Sequence, residues 1–324
     1  MVLSELIWST RKRKDYFMKK KRLLPALLLL LLVLLCAVIF FLFSAKNKTD
    51  STGYVPDLSK EYLVTQYSDA TGQHGTFYTI TKDSVLIIID GGWAGNEAAV
   101  REVIAQHGNH VDAWIISHPH KDHAGAFNAI YANPDGITVD KIYDNGFDHD
   151  FIAEAGEPYD DIEIMETYYE LTKDAANVTH LKRGDVLDIC GLTFSVFNAY
   201  DDVVLANVGG EKDYQNNASL LLKVSSANSS MLFCSDIKYD MNDTLLASWE
   251  AELSCDYVQT GHHGNWSFSD DFYDKTGALV FFMDATSEIT DSPNFPASTL
   301  KSTLMEKGKT VLDFSTAPNS VTLK

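Results

Sequence analysis

Ser117-His118-Pro119-His120-Lys121-Asp122-His123-Ala124-Gly125 gathers three histidines and an aspartate within six residues, in the pattern H-x-H-x-D-H. The apolar run Ala113-Trp114-Ile115-Ile116 before it reads as a buried strand, and Ala124 to Ala132 reads as a helix. Imidazole and carboxylate are the usual protein ligands of zinc. Four such groups on one strand-to-helix turn have little reason to gather without a metal, so the stretch predicts a metal-dependent hydrolase. Side chains at i and i+2 on an extended turn point the same way. His118 and His120 can therefore hold one ion, and Asp122 and His123, past the bend, a second one close by.

Working outward, three other apolar runs end in ligand-competent residues. Val85-Leu86-Ile87-Ile88-Ile89 ends in Asp90-Gly91-Gly92, Leu232-Phe233-Cys234-Ser235 ends in Asp236, and Tyr257 to Thr260 ends in Gly261-His262-His263-Gly264. A two-metal site needs a bridging carboxylate, because one carboxylate can bind both ions and offset their charge. Asp236 fits that need, and the histidine pair offers a ligand to close the second site. His180 is an alternative ligand, in a loop leading into a strand.

The remaining segments alternate in the same style. Strands are expected at 62–67, 76–81, 139–143, 192–197, 219–224, 279–283 and 311–314, and helices from Asn96, as cap, to Ile104 and at 161–175, 241–253, 269–275 and 297–307. Residues 146–160 read as acidic and irregular. The long acidic insert from Asn145 to Tyr169 is a candidate pocket wall, with a plain surface helix as the other reading. Two successive strand-rich halves with outward helices suggest a layered helix–sheet–sheet–helix sandwich.

These residues resemble the metallo-β-lactamase superfamily, and the resemblance runs from about 61 to 324. Within that superfamily, Asn216-Asn217-Ala218-Ser219-Leu220-Leu221-Leu222, Cys234-Ser235-Asp236 and Gly261-His262-His263-Gly264-Asn265 are similar to the ComEC-like branch. That branch includes the hydrolase domain of a bacterial DNA-uptake channel. This chain lacks that protein's many membrane spans and is at most a free-standing relative of one domain. The resemblance implies an α/β fold, the four-layer αββα sandwich, and two ions, zinc or alternatively manganese. It places His118 and His120 on the first ion, Asp122, His123 and His262 on the second, and Asp236 between them. Asp90 is expected to accept a hydrogen bond from a ligating histidine and fix its ring. Many family members carry a third histidine for the first ion where this chain has Asn217, a neutral and weaker ligand.

The first 22 residues carry eight basic groups against two acidic ones, and residues 23–45 carry no charge. At about 1.5 Å per residue that run makes a helix of roughly 34 Å, enough to cross a hydrocarbon core of about 30 Å. The organisation expected is a basic cytoplasmic tail (1–22), one transmembrane helix (23–45), a polar linker (46–60) and an extracellular hydrolase domain (61–324) at the cell membrane. The total charge is -19, and the tail contributes +6, so the rest of the chain carries -25. Such acidity repels polyanions at long range, which disfavours long nucleic acid as a partner. Cys190, Cys234 and Cys255 are three in number and too few for a disulfide framework. Cys190 and Cys234 flank apolar segments and read as buried, inert thiols.

The expected chemistry is hydrolysis by a metal-activated hydroxide, with Asp122 orienting it. His263 faces the substrate, to stabilise the oxyanion or protonate the leaving group. Its other reading is a partner of His262. The branch resemblance implies a phosphodiester substrate: a nucleic acid, a nucleotide or an envelope phosphodiester. Hydrolysis of a lactam, thioester or lactone is the alternative, and a membrane-tethered, non-catalytic metal-binding or sensing protein is a third.

Overall fold

A computed structural model of the chain describes residues 61–156, 160, 162–208 and 213–324. The basic tail, the apolar run 23–45 and the linker all lie outside the described residues. Among the described residues no helix is long and apolar enough to cross a membrane.

The strands form two sheets. β1 (Tyr62–Gln66), β2 (Phe77–Lys82), β3 (Val85–Asp90), β4 (His110–Ile116), β5 (Thr138–Asp144) and β6 (Val178–His180) belong to the first. β7 (Val186–Ile189), β8 (Leu192–Asn198), β9 (Leu221–Ser225), β10 (Ser230–Phe233), β11 (Tyr257–Gln259), β12 (Val280–Phe282) and β13 (Thr310–Leu312) form the second, and β14 (Asn319–Leu323) returns to the first. The strand orders are β14-β1-β2-β3-β4-β5-β6 and β13-β12-β11-β10-β9-β8-β7. Each sheet has an antiparallel half and a parallel half. β3 to β6 run parallel in the first, and β10 to β13 in the second.

Strand alternation sorts the apolar side chains into three cores. Ile87, Ile89 and Ile115 point between the sheets, where they meet Phe194, Leu222 and Phe233. Leu86, Ile88, Trp114 and Ile116 point outward, onto the helices Glu97–Gln106 and Lys121–Ala132 through Val100, Ile104 and Phe127. On the far side Leu232, Val258 and Phe281 meet Phe272 and Leu300, which lie on the helices Asp270–Thr276 and Pro296–Glu306. Burial on both faces explains why β3 and the second half of β4 are continuous apolar runs. The layers are therefore helix, sheet, sheet, helix, as expected.

Several local expectations are corrected. Asn96 makes no side-chain cap. Its carboxamide instead ties two loops, accepting from the Ala70 amide at 3.0 Å and donating to the Gly91 carbonyl at 3.0 Å. The segment expected to be irregular contains the helix His149–Ala155, capped by the Asp148 carboxylate on the Phe151 amide at 3.0 Å. β14 was not legible, because Asn-Ser-Val-Thr-Leu is short and largely polar. Its place is set by antiparallel pairing with β1. Cys234 and Cys255 are buried free thiols and Cys190 is a partly exposed one. Burial pushes Cys255 up to about 12 and Cys190 up to about 11, so neither is a thiolate at neutral pH.

A candidate metal centre at the seam of the two sheets

The parallel strands of both sheets end at one edge, the usual place for a site in parallel sheet architecture. β4 delivers Ser117 to His123, with Asp122 and His123 in the first turn of the helix Lys121–Ala132. β10 delivers Asp236, and β11 delivers the turn Gly261–Gly264. Non-glycine residues in the left-handed region mark these strand ends: Asp90 (φ 56°), Ser235 (φ 48°), His262 (φ 46°) and His263 (φ 55°). Such conformations cost about 1–3 kcal/mol each and gather where a site demands them.

Asp122, His123, Asp236 and His263 form a buried cluster whose ligand atoms all lie within 4.8 Å of one another. His263 Nε2 stands 3.1 Å from Asp122 Oδ2 and 3.1 Å from Asp236 Oδ2. His123 Nε2 stands 3.2 Å from Asp236 Oδ1, yet neither atom has a hydrogen bond of acceptable geometry. Both point at a common space. His118 Nε2 is a further buried atom with no hydrogen-bond partner. Unsatisfied buried nitrogens and carboxylate oxygens are costly unless something binds them.

The supporting contacts fix the rings. Asp90 Oδ2 accepts from His123 Nδ1 at 2.8 Å, while the Ser117 amide and hydroxyl donate to Asp90 at 2.8 and 2.7 Å. That contact is the one expected of Asp90, and it aims His123 Nε2 at the cluster. His118 Nδ1 lies 3.2 Å from Ser117 Oγ, and its ring is 4.1 Å from that of His123. His120 Nε2 meets Asp160 Oδ1 at 3.1 Å. Its ring lies 4.5 Å from that of His118, so the two rings are neighbours as the spacing predicts.

Of the two adjacent histidines, the structure brings His263 against the carboxylates and leaves His262 farther from them. His262 Nε2 is 4.0 Å from Asp236, and its Nδ1 is bonded to the Asn265 carbonyl at 2.8 Å. Consecutive left-handed residues turn the chain so sharply that side-chain alternation does not say which histidine faces the carboxylates. Asn217 is tied into the protein at both ends of its carboxamide. Its Nδ2 donates to the Asp213 carbonyl at 3.0 Å and its Oδ1 accepts from the Lys238 amide at 3.1 Å. His180 sits apart, paired with Asp144 at 2.6 Å with its side chain 64% exposed.

Electrostatics favour a cation. Burial raises the Asp122 and Asp236 carboxyls, but the neighbouring imidazoles, His123 foremost, override it and hold both well below the usual carboxylate range. Burial, reinforced by His123 and His120, keeps His118 neutral and so able to ligate. Burial also lowers His263, yet the Asp236 charge and the bonds to Asp122 and Asp236 raise it to about 10. Two ionised carboxylates in a dry pocket thus draw positive charge onto whatever stands between them. The mixed imidazole and carboxylate set suits zinc, and manganese less closely.

A cavity of about 480 Å³ opens above the cluster. His74, Trp93, Asp213, Lys238 and Trp266 line it and escaped the sequence reading. His74 Nε2 lies 3.3 Å from Asp122 Oδ2. Lys238 is buried and paired with Asp213 at 3.0 Å. These residues stand in loops, singly, with no repeated spacing to mark them.

Residues 70–137, which hold the H-x-H-x-D-H turn and Asp90, match the family described as the Metallo-beta-lactamase superfamily. The match covers that segment of the chain, and the donors it holds suit a metal-dependent hydrolase. Among solved structures the chain is similar to the metallo-beta-lactamase fold protein YhfI from Bacillus subtilis, at 12% identity over 81% of this chain and 99% of that one, with a TM-score of 0.49. It is similar to Igni18, a metallo hydrolase from the hyperthermophilic archaeon Ignicoccus hospitalis, at 13% identity over 82% of this chain and 99% of that one, with a TM-score of 0.47. It is also similar to MEM-A1, a subclass B3 metallo-beta-lactamase from a soil metagenome library, at 14% identity over 64% and 81% of the two chains, with a TM-score of 0.39. None of the three bears on the substrate of this chain. No curated protein sequence matches the chain.

Proposed function

We propose that this protein hydrolyses a phosphodiester with one or two zinc ions held at the seam of its sheets. The observation that carries the reading is the convergence of Asp122, His123, Asp236 and His263 on one point beneath an open cavity. His118 and His120 stand beside them for a first ion, with Asp236 as the shared carboxylate. Bound zinc supplies Lewis-acid charge and lowers the pKa of a water molecule toward about 7. Asp122, held ionised, orients the attacking oxygen and accepts its proton. His263, held between Asp122 and Asp236, would complete the donor set. Asp90 keeps His123 in the required tautomer.

Two features support a phosphodiester over a carbonyl substrate. The sequence resembles the ComEC-like branch, and Lys121 lines the cavity of a net acidic chain. A cation beside a cavity favours an anionic substrate. The charge of -19 speaks for a small substrate rather than a long polyanion. The basic residues before the apolar run 23–45 support an outer-face location on a membrane, with the N-terminus inside.

The test is a panel of bis-(p-nitrophenyl) phosphate, single-stranded DNA, nitrocefin and a lactone, each with zinc and with manganese. Turnover of the phosphodiesters, abolished in Asp236→Ala, is the expected result. Turnover of nitrocefin or lactone alone would overturn the phosphodiester reading in favour of a carbonyl substrate. Purified protein without stoichiometric metal or turnover would point to a non-catalytic role.

A further inference from the structure

Trp266 stands at the rim of the cavity with 51% of its surface exposed and its backbone in the left-handed region at φ 46°. A bulky residue there is a genuine outlier, because its Cβ crowds the following carbonyl. Stability does not account for it, since half the indole contributes nothing to a core. The chain nonetheless pins it in place from both sides. The Tyr239 amide donates to the Trp266 carbonyl at 3.0 Å, and the adjoining Asn265 side chain accepts from the Ala297 amide at 3.1 Å.

The His262 ring lies 5.8 Å away at a tilt, and Lys238 Nζ, paired with Asp213, stands over the indole at 6.0 Å from its centroid. Trp266 also forms the divide between the cavity and an adjoining groove of about 520 Å³ walled by Phe268, Pro293, Phe295 and Pro296. Trp93, across the cavity, is committed by contrast: its indole N–H donates to the His74 carbonyl at 2.5 Å.

We propose that Trp266 is a specificity-determining residue that stacks on a flat heteroaromatic ring next to the scissile phosphate, so the substrate is a small nucleotide-type phosphodiester. This deepens the phosphodiester reading and rests on it. A half-exposed indole at the rim of the cavity above the metal donors matches a base joined to a phosphate held there, and stacking of that kind is tolerant of base identity. A cavity of about 480 Å³ holds one nucleotide-sized group rather than a strand.

The test uses two esters with the same leaving group and charge, p-nitrophenyl thymidine 5′-phosphate and methyl p-nitrophenyl phosphate, on the zinc-loaded full chain. Wild type is expected to prefer the thymidine ester by about tenfold in kcat/KM, mostly through KM, a size typical of stacking one base on one aromatic. Trp266→Asn removes the ring and also suits the left-handed backbone. Its unfolding temperature is expected to equal or exceed that of wild type while the preference falls below about threefold, with Trp266→Phe keeping most of it. An unchanged preference in Trp266→Asn overturns the proposal. So does a wild type that turns over both esters equally, which leaves the phosphodiester reading standing. A wild type that hydrolyses neither ester but cleaves nitrocefin overturns both.

Discussion

Asp90 shows how much one side chain at the seam governs. It is fully buried, yet it fixes Ser117 and the ring of His123 at once. Asp90→Asn keeps the shape but turns an acceptor oxygen into a donor, which disfavours the tautomer that leaves His123 Nε2 open. The expected result is a loss of about 10–100-fold in zinc affinity with a fold unchanged by circular dichroism. Competition titration with a fluorescent chelator measures it, and wild-type affinity in the variant would remove Asp90 from the site. Most donors were legible in the sequence, because each ends an apolar run with a polar residue. The choice between His262 and His263 was not, since it depends on a turn whose left-handed residues no alternation rule describes. Asp160, Asp213 and His74 were hidden for a different reason: single loop residues acquire partners only through the fold.

The helix Lys121–Ala132 carries two of the donors, and Gly125 sets its distance from the chain before it. A Cβ on Gly125 would fall 2.4 Å from the Ala94 amide nitrogen and 2.8 Å from the Trp93 carbonyl carbon. Backbone cannot yield as a side-chain tip does, so Gly125→Ala must push the helix outward and carry Asp122 and His123 with it. A destabilisation of about 1–3 kcal/mol is expected from such overpacking, together with weaker zinc binding. Urea unfolding and the same titration check both. At the other end of the chain, Lys301 on the helix Pro296–Glu306 holds Asp313 at 2.7 Å. Burial alone would raise Asp313, but the hydrogen bonds from Lys301, Ser315 and Thr290 bring it down to about 2. The folded pKa is depressed below the ordinary value of about 3.9. Its contribution to stability is therefore complete above that value and lost as pH falls toward 2. The difference in unfolding temperature between wild type and Asp313→Asn should be constant from pH 7 to 5 and vanish by about pH 2. A difference that persists there would show that charge is not its source. Strand and helix types were largely readable because β3, β10 and the amphipathic helices are strongly patterned. β6 and β14 were not, because short polar strands take their identity from the neighbour they pair with.

At the scale of the molecule, the two sheets meet through the core around Ile89, Phe194 and Phe233. They also meet at Asp284, whose buried carboxyl accepts from Tyr78 at 2.6 Å, Gln66 at 2.7 Å and Thr76 at 2.9 Å. Asp122 and His123 come from the first sheet's edge, Asp236 and His263 from the second's. No stretch of continuous backbone sets the span between these pairs; the thickness of apolar filling between the sheets does. An ion there works as a gauge of that thickness. Thinning the filling with Phe194→Leu should weaken zinc severalfold, whereas Phe272→Leu, which thins an outer layer at a similar cost of about 1 kcal/mol, should leave affinity alone. Equal affinities in the two variants would refute the gauge. If it holds, the protein's grip on its metal can drift through substitutions among residues that never come near it, and loss of activity in such variants will be repaired by restoring volume rather than by restoring a ligand.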